Sequence, residues 1–314
     1  MVPAAATGRS RRRRLARQRL TRGAAPYLLL APTVIAVGAI LGYPVVNLVE
    51  LSLQKYGLFE LVSHHGSYIG LANFSSVLGD PIFWNTLWRT IAFAGANVGL
   101  TMAIGVLLAL LLVRVSTWVR LLLTGALVLV WSMPPVVAVQ VWQWMTNLQN
   151  GVLNYTLTQL HIGNFFEHDW YSSTLSQYGM VTTLIVWGGL PFVVITTYAA
   201  LSQVPPELIE AAQLDGARYW RVLKEVTLPV VRPVLLIMTS LSIIWDFGVF
   251  TQPYLLIGPG QQNSGNYLMS VYLYVQGYGN TNFGRGAAIS ILMLAVVAIL
   301  SIFYVRSMLR VGDE

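Results

Sequence analysis

The sequence predicts an all-α membrane bundle that crosses the bilayer about six times. Three observations predict it. Of the 314 residues, 55% are hydrophobic and only 10% are charged, whereas a soluble domain carries about 25% charged residues. Six apolar stretches reach the roughly 20 residues that a helix needs to cross the hydrocarbon. The Lys and Arg residues are concentrated in one alternate set of connections.

The stretches are residues 26–53, 85–113, 121–145, 180–201, 233–257 and 286–309. The chain therefore divides into a basic tail, residues 1–25, and a membrane domain, residues 26–314. The spans must be helices, because backbone in lipid has to satisfy its own hydrogen bonds. The alternating pattern of a membrane barrel strand is missing. The tail holds eight arginines between Arg9 and Arg22. It reads as a solvated segment facing anionic lipid, since no folded basic domain for nucleic acid follows it. A cleaved signal peptide is a poorer description: the apolar run passes the small residues near Ala39 and continues to Val49 without a clean break.

Orientation follows from where the positive residues sit. The tail, the connection around Arg114 and Arg120, residues 202–232 (Arg218, Arg221, Lys224, Arg232) and the last span's end (Arg306, Arg310) together hold sixteen of nineteen. Lys55, Arg89 and Arg285 lie on the other side. Both termini are thus expected in the cytoplasm, as an even number of spans requires. The external segments 63–81, 147–178 and 258–284 contain no Lys or Arg. Trp142, Trp144, Trp170, Tyr171, Tyr178, Tyr272 and Tyr274 suit an interfacial belt.

Composition also excludes chemistry. Without cysteine there is no disulfide, thiolate metal site or cysteine nucleophile. A P-loop needs a glycine-rich turn ending in Gly-Lys-Ser/Thr, yet the only lysines, Lys55 and Lys224, do not follow glycine. His161 and His168 with Glu167 and Asp169 could be drawn as a metal site, but no helical i, i+4 ligand pair occurs, and a solvated loop describes them better. No metal, cofactor or catalytic residue is expected on this chain.

Residues 202–232 are too orderly for a connector. Pro205 and Pro206 end one span, and Pro206 suits the first position of a new helix. Glu207 and Glu210 occupy its first turns, where the helix dipole favours negative charge. Leu208, Ala211 and Ala212 form a small apolar stripe. Asp215-Gly216 is a turn signal, and a second short helix is expected from about Ala217 to Val226, stopped by Pro229 and Pro233. Carboxylates at Glu207, Glu210 and Asp215 disfavour anionic headgroups, so the element reads as one that docks a partner.

Glu210-Ala211-Ala212, then Gly216, then nine residues, then Val226-Thr227-Leu228-Pro229 resembles the EAA motif of the permease subunits of binding-protein-dependent ATP-binding-cassette importers. Val226 stands where that family has isoleucine. Residues 68–93, Pro32, Tyr43-Pro44 and residues 250–259 are similar to its carbohydrate-uptake branch, most of all to the maltose-type first permease subunit without its extra helices or large external domain. The resemblance implies a type I importer bundle whose helix before Gly216 enters a cleft on an ATPase. Glu207, Glu210, Ala211, Ala212, Asp215, Gly216 and Arg218 would make that coupling contact. Expected partners are a second permease, two ATP-binding-cassette subunits that hold ATP and Mg, and an external solute-binding protein. The expected cargo is a sugar, in particular an oligosaccharide or an amino-sugar disaccharide.

A sugar path needs amides, a carboxylate and aromatic faces, and intramembrane polar groups usually face the bundle interior. Asp246, read inside the fifth span beside Trp245 and Phe247, is the first candidate. Thr239 and Ser242 share its face. Gln140, Trp144, Asn97 and Gln252 follow. Each can equally serve helix packing. Pro134-Pro135, Gly188-Gly189 with Pro191, and Gly248 are positions where helices can kink. The competing function is an ion-coupled secondary transporter, which would need paired ionisable groups at the midplane and internal repeats; only Asp246 stands out, and no repeat is evident.

Overall fold

A computed structural model describes residues 7–311, and it is a helical bundle. Residues 1–6 of the basic tail lie outside the described residues. The chain begins with α1 (Thr7–Ser52), then a two-residue ribbon of β1 (Gln54–Lys55) and β2 (Ser67–Tyr68) around α2 (Leu58–Ser63). Next come α3 (Ala72–Leu78), α4 (Pro81–Arg114), α5 (Thr117–Ser132), α6 (Pro135–Met145), α7 (Val152–Gln159) and α8 (Thr174–Leu201). The remainder is α9 (Pro206–Leu214), α10 (Tyr219–Val222), α11 (Leu228–Phe247), α12 (Thr251–Ile257), α13 (Met269–Tyr274) and α14 (Phe283–Val311). Among the described residues five helices are long and apolar enough to cross a membrane, or six if α5 and α6 form one bent span.

The centre is the α4–α8 pair. Two glycines allow its close approach. A Cβ at Gly105 would fall on Val193, and one at Gly189 would lie 3.2 Å from the Thr101 methyl. Close packing of small residues is what holds helices together in lipid, where apolar burial alone gives little drive. α1 stands outside this core and leans on α14; the apolar window of its span has no buried residue.

Three sequence expectations are corrected. Residues 121–145 are not one straight span: α5 and α6 meet at 102°. Met133 and Pro134 each precede a proline, which disfavours helical backbone, and both are extended, with ψ of 124° and 137°. The fifth span does not run from 233 to 257. A rod from Tyr219 to Phe247 ends at Gly248, and α12 is a separate short helix. Residues 249–257 look like span because they are apolar, but Pro253, Leu256 and Ile257 are buried in protein. Asp246 is therefore one residue from a helix end.

The third correction concerns Pro229 and Pro233, which do not stop the loop's second helix. α10 continues through a widened turn, Leu223–Thr227, into α11. The Leu228 N–H bonds the Leu223 carbonyl, five residues back, and Pro229 then sits in the first turn of α11, where a missing N–H is tolerated.

The end of the bundle where α4 begins is fastened by a polar cluster that the sequence did not reveal. Asp80 caps α4 by accepting the Ile82 N–H at 2.9 Å. It also pairs with Arg285 of α14 at 2.6 Å and accepts the Tyr272 hydroxyl of α13 at 3.0 Å. Tyr272 is fully buried, so it is not a belt residue.

Candidate solute path and coupling loop

The bend at Pro134-Pro135 and the break at Gly248 open the same space. A cavity of about 300 Å³ lies between α5, α6, α8, α11 and α12, within the size range of small-ligand sites. Trp245, Asp246 and Gln252 line it, with Trp131 and Trp187. Gly188 and Gly189 form a wall without side chains. Pro191 follows in the same helix, and with no N–H it cannot donate to the Trp187 carbonyl beside the cavity.

Two lining rings, Trp131 and Trp245, are joined through Phe192, which stands behind them. Trp131 stacks on Phe192 at 5.6 Å between centroids, Phe192 meets Trp245 edge-on at 5.2 Å, and Trp131 and Trp245 are 6.3 Å apart. The ion pairs among the described residues, Arg221–Glu225 and Asp80–Arg285, do not involve Asp246. A carboxylate, an amide and aromatic faces around a small cavity can accept and donate hydrogen bonds to hydroxyls while stacking on an apolar ring.

The other path candidates lie elsewhere. Phe247 is 1% exposed and packs in a core with Ala94 and Tyr272. Asn97 is also buried, and its amide donates to the Phe93 carbonyl of its own helix at 2.8 Å. Gln140 and Trp144 are exposed on α6 and do not line the cavity. Gln143, which the sequence did not single out, ties α6 to α12 by donating to the Leu255 carbonyl at 2.7 Å. Trp131, Trp187 and Phe192 were missed because they read as ordinary apolar residues within spans. The Pro134-Pro135 break directly after Trp131 was the available signal.

At the other end of the bundle α9 projects from the last turns of α4 and α8. Glu207 stands in its first turn. Its C-terminus closes as the sequence predicts, on Gly216 with φ +78°. The Gly216 N–H bonds the Gln213 carbonyl at 3.0 Å and the Ala217 N–H bonds the Ala212 carbonyl at 2.9 Å, the paired bonds of a Schellman turn. Glu207, Glu210, Ala211, Asp215, Gly216 and Arg218 are exposed, and Ala212 is half-buried. Leu214 is 89% exposed.

The base of this element is fixed. Ile209 packs on the cluster of Leu112, Leu201, Val204 and Val231. The Arg114 guanidinium lies 4.0 Å over the Tyr219 ring, a cation–π contact. Arg120 caps α4, donating to the Leu112 and Val115 carbonyls at 2.9 and 3.2 Å. Of these two arginines, Arg114 thus also braces the loop, while Arg120 fixes the end of α4 beside it.

A multi-pass bundle with a small polar-aromatic cavity and a rigidly based, exposed helix pair defines a membrane transport subunit. The comparisons make that class specific. The binding-protein-dependent transport system inner membrane component family matches residues 101–311. A diacetylchitobiose uptake system permease protein of Streptomyces coelicolor is 40% identical, over 92% of this chain and 88% of its own length. A trehalose transport system permease protein of Mycobacterium tuberculosis is 29% identical, over 93% of this chain and 90% of its own. The fold is shared with a chain of a bacterial ABC transporter involved in alginate import, at a TM-score of 0.74 to 0.78 in two crystal structures. Identity is 20–21%, and the match covers 91–95% of this chain and 94–99% of the other. The chain belongs to the binding-protein-dependent transport system inner membrane component family.

Proposed function

We propose that this chain is the permease subunit of an ATP-driven carbohydrate importer, supplying half of the translocation path. α9 is its contact with a separate ATPase. The observation that carries the reading is α9 itself. A short helix closed by a glycine turn presents Glu210, Ala211 and the nearly naked Leu214 to water, while its base is packed against two spans. An exposed apolar residue beside acidic groups on a braced helix suits insertion into a partner's groove.

The remaining assignments follow from this orientation. Both termini lie on the ATPase side, as the distribution of Lys and Arg indicates. Glu210 faces a basic or polar group of the ATPase, and Glu207, Asp215 and Arg218 flank it. Ala211 and Ala212 allow close approach. A second permease completes the path, a pair of ATP-binding-cassette subunits holds ATP and Mg, and an external binding protein delivers the solute. Trp245, Asp246 and Gln252 contact the solute within the membrane. The named cargoes of the two relatives, diacetylchitobiose and trehalose, support a disaccharide.

The test is ATP-dependent uptake of radiolabelled diacetylchitobiose, trehalose and maltose by proteoliposomes holding the full complex. Glu210→Lys reverses an exposed charge at the contact, where a like-charge clash costs several kcal/mol. Uptake should fall at least about tenfold with normal membrane insertion, and unchanged uptake would sink the coupling assignment. Trp245→Ala removes a stacking face worth about 1 kcal/mol or more. It should raise the solute concentration for half-maximal uptake about tenfold, with α9 unaffected. Uptake driven by an ion gradient in the absence of ATP would favour the secondary transporter instead.

A further inference from the structure

A second polar cavity, of about 340 Å³, lies at the far end of the α6–α12 pair. The two cavities share these helices as a wall. The inner one touches their beginnings, Pro135 and Ala138 of α6, and Gln252 of α12 with Val249 just before it. The outer one touches their ends, Gln143 to Leu148 and Leu256 to Gln261. At 1.5 Å per residue, the eleven residues of α6 that run from one cavity to the other span roughly 16 Å.

The outer cavity is lined by Gln143, Thr146, Asn147, Asp169, Tyr171 and Gln261, with a minority of apolar side chains. Several of these groups are held in place by one partner and keep a second valence open. Gln143 donates its amide to the Leu255 carbonyl, leaving its side-chain oxygen. The Asn147 oxygen accepts the Gln149 and Asn150 N–H groups at 3.0 and 3.1 Å, leaving its amide nitrogen. Asp169 accepts the Tyr171 N–H on Oδ1 at 2.8 Å, leaving Oδ2. Thr146 donates to the Trp142 carbonyl at 2.7 Å, so the Tyr171 hydroxyl, 2.9 Å away, donates to Thr146. Burial pushes the Tyr171 hydroxyl up from its ordinary pKa, which keeps it protonated.

Two lining residues, Tyr171 and Gln261, are also held by side chains outside the lining. Gln177 donates to the Tyr171 carbonyl at 2.9 Å, and Asn266 donates to the Gln177 oxygen at 3.0 Å and to the Gln261 carbonyl at 2.8 Å. The cavity therefore offers fixed donors and acceptors in mixture, with a single carboxylate and no cation. A phosphate or carboxylate ligand would find no counter-charge there. A polyol, each of whose hydroxyls both donates and accepts, matches the set.

We infer that this outer cavity is a carbohydrate subsite at the external mouth of the path, one α6 length from the Trp245–Asp246–Gln252 cavity. It rests on the carbohydrate reading above and extends it to residues that reading does not use. A sugar released on the outside meets the outer amides first, then travels along the α6–α12 wall to the inner rings.

The chain contains no cysteine, so one introduced thiol reports a single place in it. Leu148 lines the outer cavity, is 43% exposed and serves as the reporter position; Val130 lines the inner one. The full complex in nanodiscs, without ATP or binding protein, carries Leu148→Cys or Val130→Cys and is treated with a maleimide. The probes are diacetylchitobiose, trehalose and maltose, with glycine betaine, which has no hydroxyl and no hydrogen-bond donor, as an osmotic control. The sugar that is taken up should slow labelling at position 148, by about fourfold at three times its Kd from occupancy alone. Glycine betaine should not. Asp169→Asn should remove that protection and leave protection at position 130. If Asp169→Asn fails to insert, Gln261→Ala, at an exposed side chain, replaces it with the same expectation. Unslowed labelling at position 148, with protection at 130 intact, overturns the outer site alone. No protection at either position, together with no ATP-dependent uptake, overturns the carbohydrate reading and the outer site with it.

Discussion

Gly216→Pro is expected to bring ATP-driven uptake to background while the protein still reaches the membrane. Proline fixes φ near −65° and has no N–H. Gly216 needs φ +78° and uses its N–H to close the last turn of α9 on the Gln213 carbonyl. Both requirements fail together, at about 3 kcal/mol or more, which lowers the population of the observed turn roughly a hundredfold. The spans are untouched, because a Cβ at Gly216 meets nothing within 4 Å. The companion variant Gly216→Asn separates geometry from composition. Asparagine visits the left-handed region at small cost, so it should keep most of the uptake. Uptake and ATPase activity measured on the same proteoliposomes decide the matter. Equal uptake by the proline variant and the parent would refute the coupling role of this turn.

Gly105→Leu is expected to prevent the bundle from assembling. Even a single Cβ at this position would overlap Val193 across the α4–α8 contact, and both positions are buried. A leucine there must force the two central helices apart. Gly105→Ala alone should cost about 1–3 kcal/mol through overpacking, while the leucine variant should exceed that range and be lost to degradation. The pair Gly105→Ala with Val193→Ala returns the volume and should recover most of the stability. Thermal denaturation of the solubilised protein, followed by size-exclusion chromatography, provides the readout. A Gly105→Leu protein with parental thermal stability would contradict the packing described here.

Much of this was legible in the sequence, and the reasons are particular. The spans before residue 115 and after residue 283 were found because lipid-facing helices are continuous apolar runs. The end of α9 was found because Asp215-Gly216 has only one economical conformation. Pro134-Pro135 and Gly248 were marked as positions where a helix can kink, and the α5–α6 bend and the end of α11 fall there; that residues 249–257 leave the span as a separate α12 was not found, since they carry apolar side chains and hydropathy does not distinguish lipid from a protein interior. Leu256 and Ile257 are the plainest case. Pro229 misled for another reason: a proline in the first turn of a helix is permitted, and the widened turn before it made this a first turn. The Asp80–Arg285 pair joins residues more than 200 positions apart, and no local pattern announces it. Of the path candidates, Trp245, Asp246 and Gln252 meet at the cavity, while Asn97 and Phe247 show that a polar or aromatic residue within a span can equally be packing.

The contact between α1 and α14 sets an order for biogenesis. α1 leaves the ribosome more than two hundred residues before α14, its neighbour in the folded bundle. The β1 segment behaves alike, since the Tyr56 carbonyl accepts the Gly284 N–H at 3.0 Å at the start of α14. During synthesis α1 must therefore reside in lipid as a solitary helix, stable there because its own backbone bonds are satisfied, until more than two hundred residues have followed it. Its surface is accordingly built for lipid first and for protein second, and nascent chains halted before residue 283 carry an α1 that lacks its main partner helix and keeps only contacts such as that of Asn73 with the Ser52 carbonyl at its end.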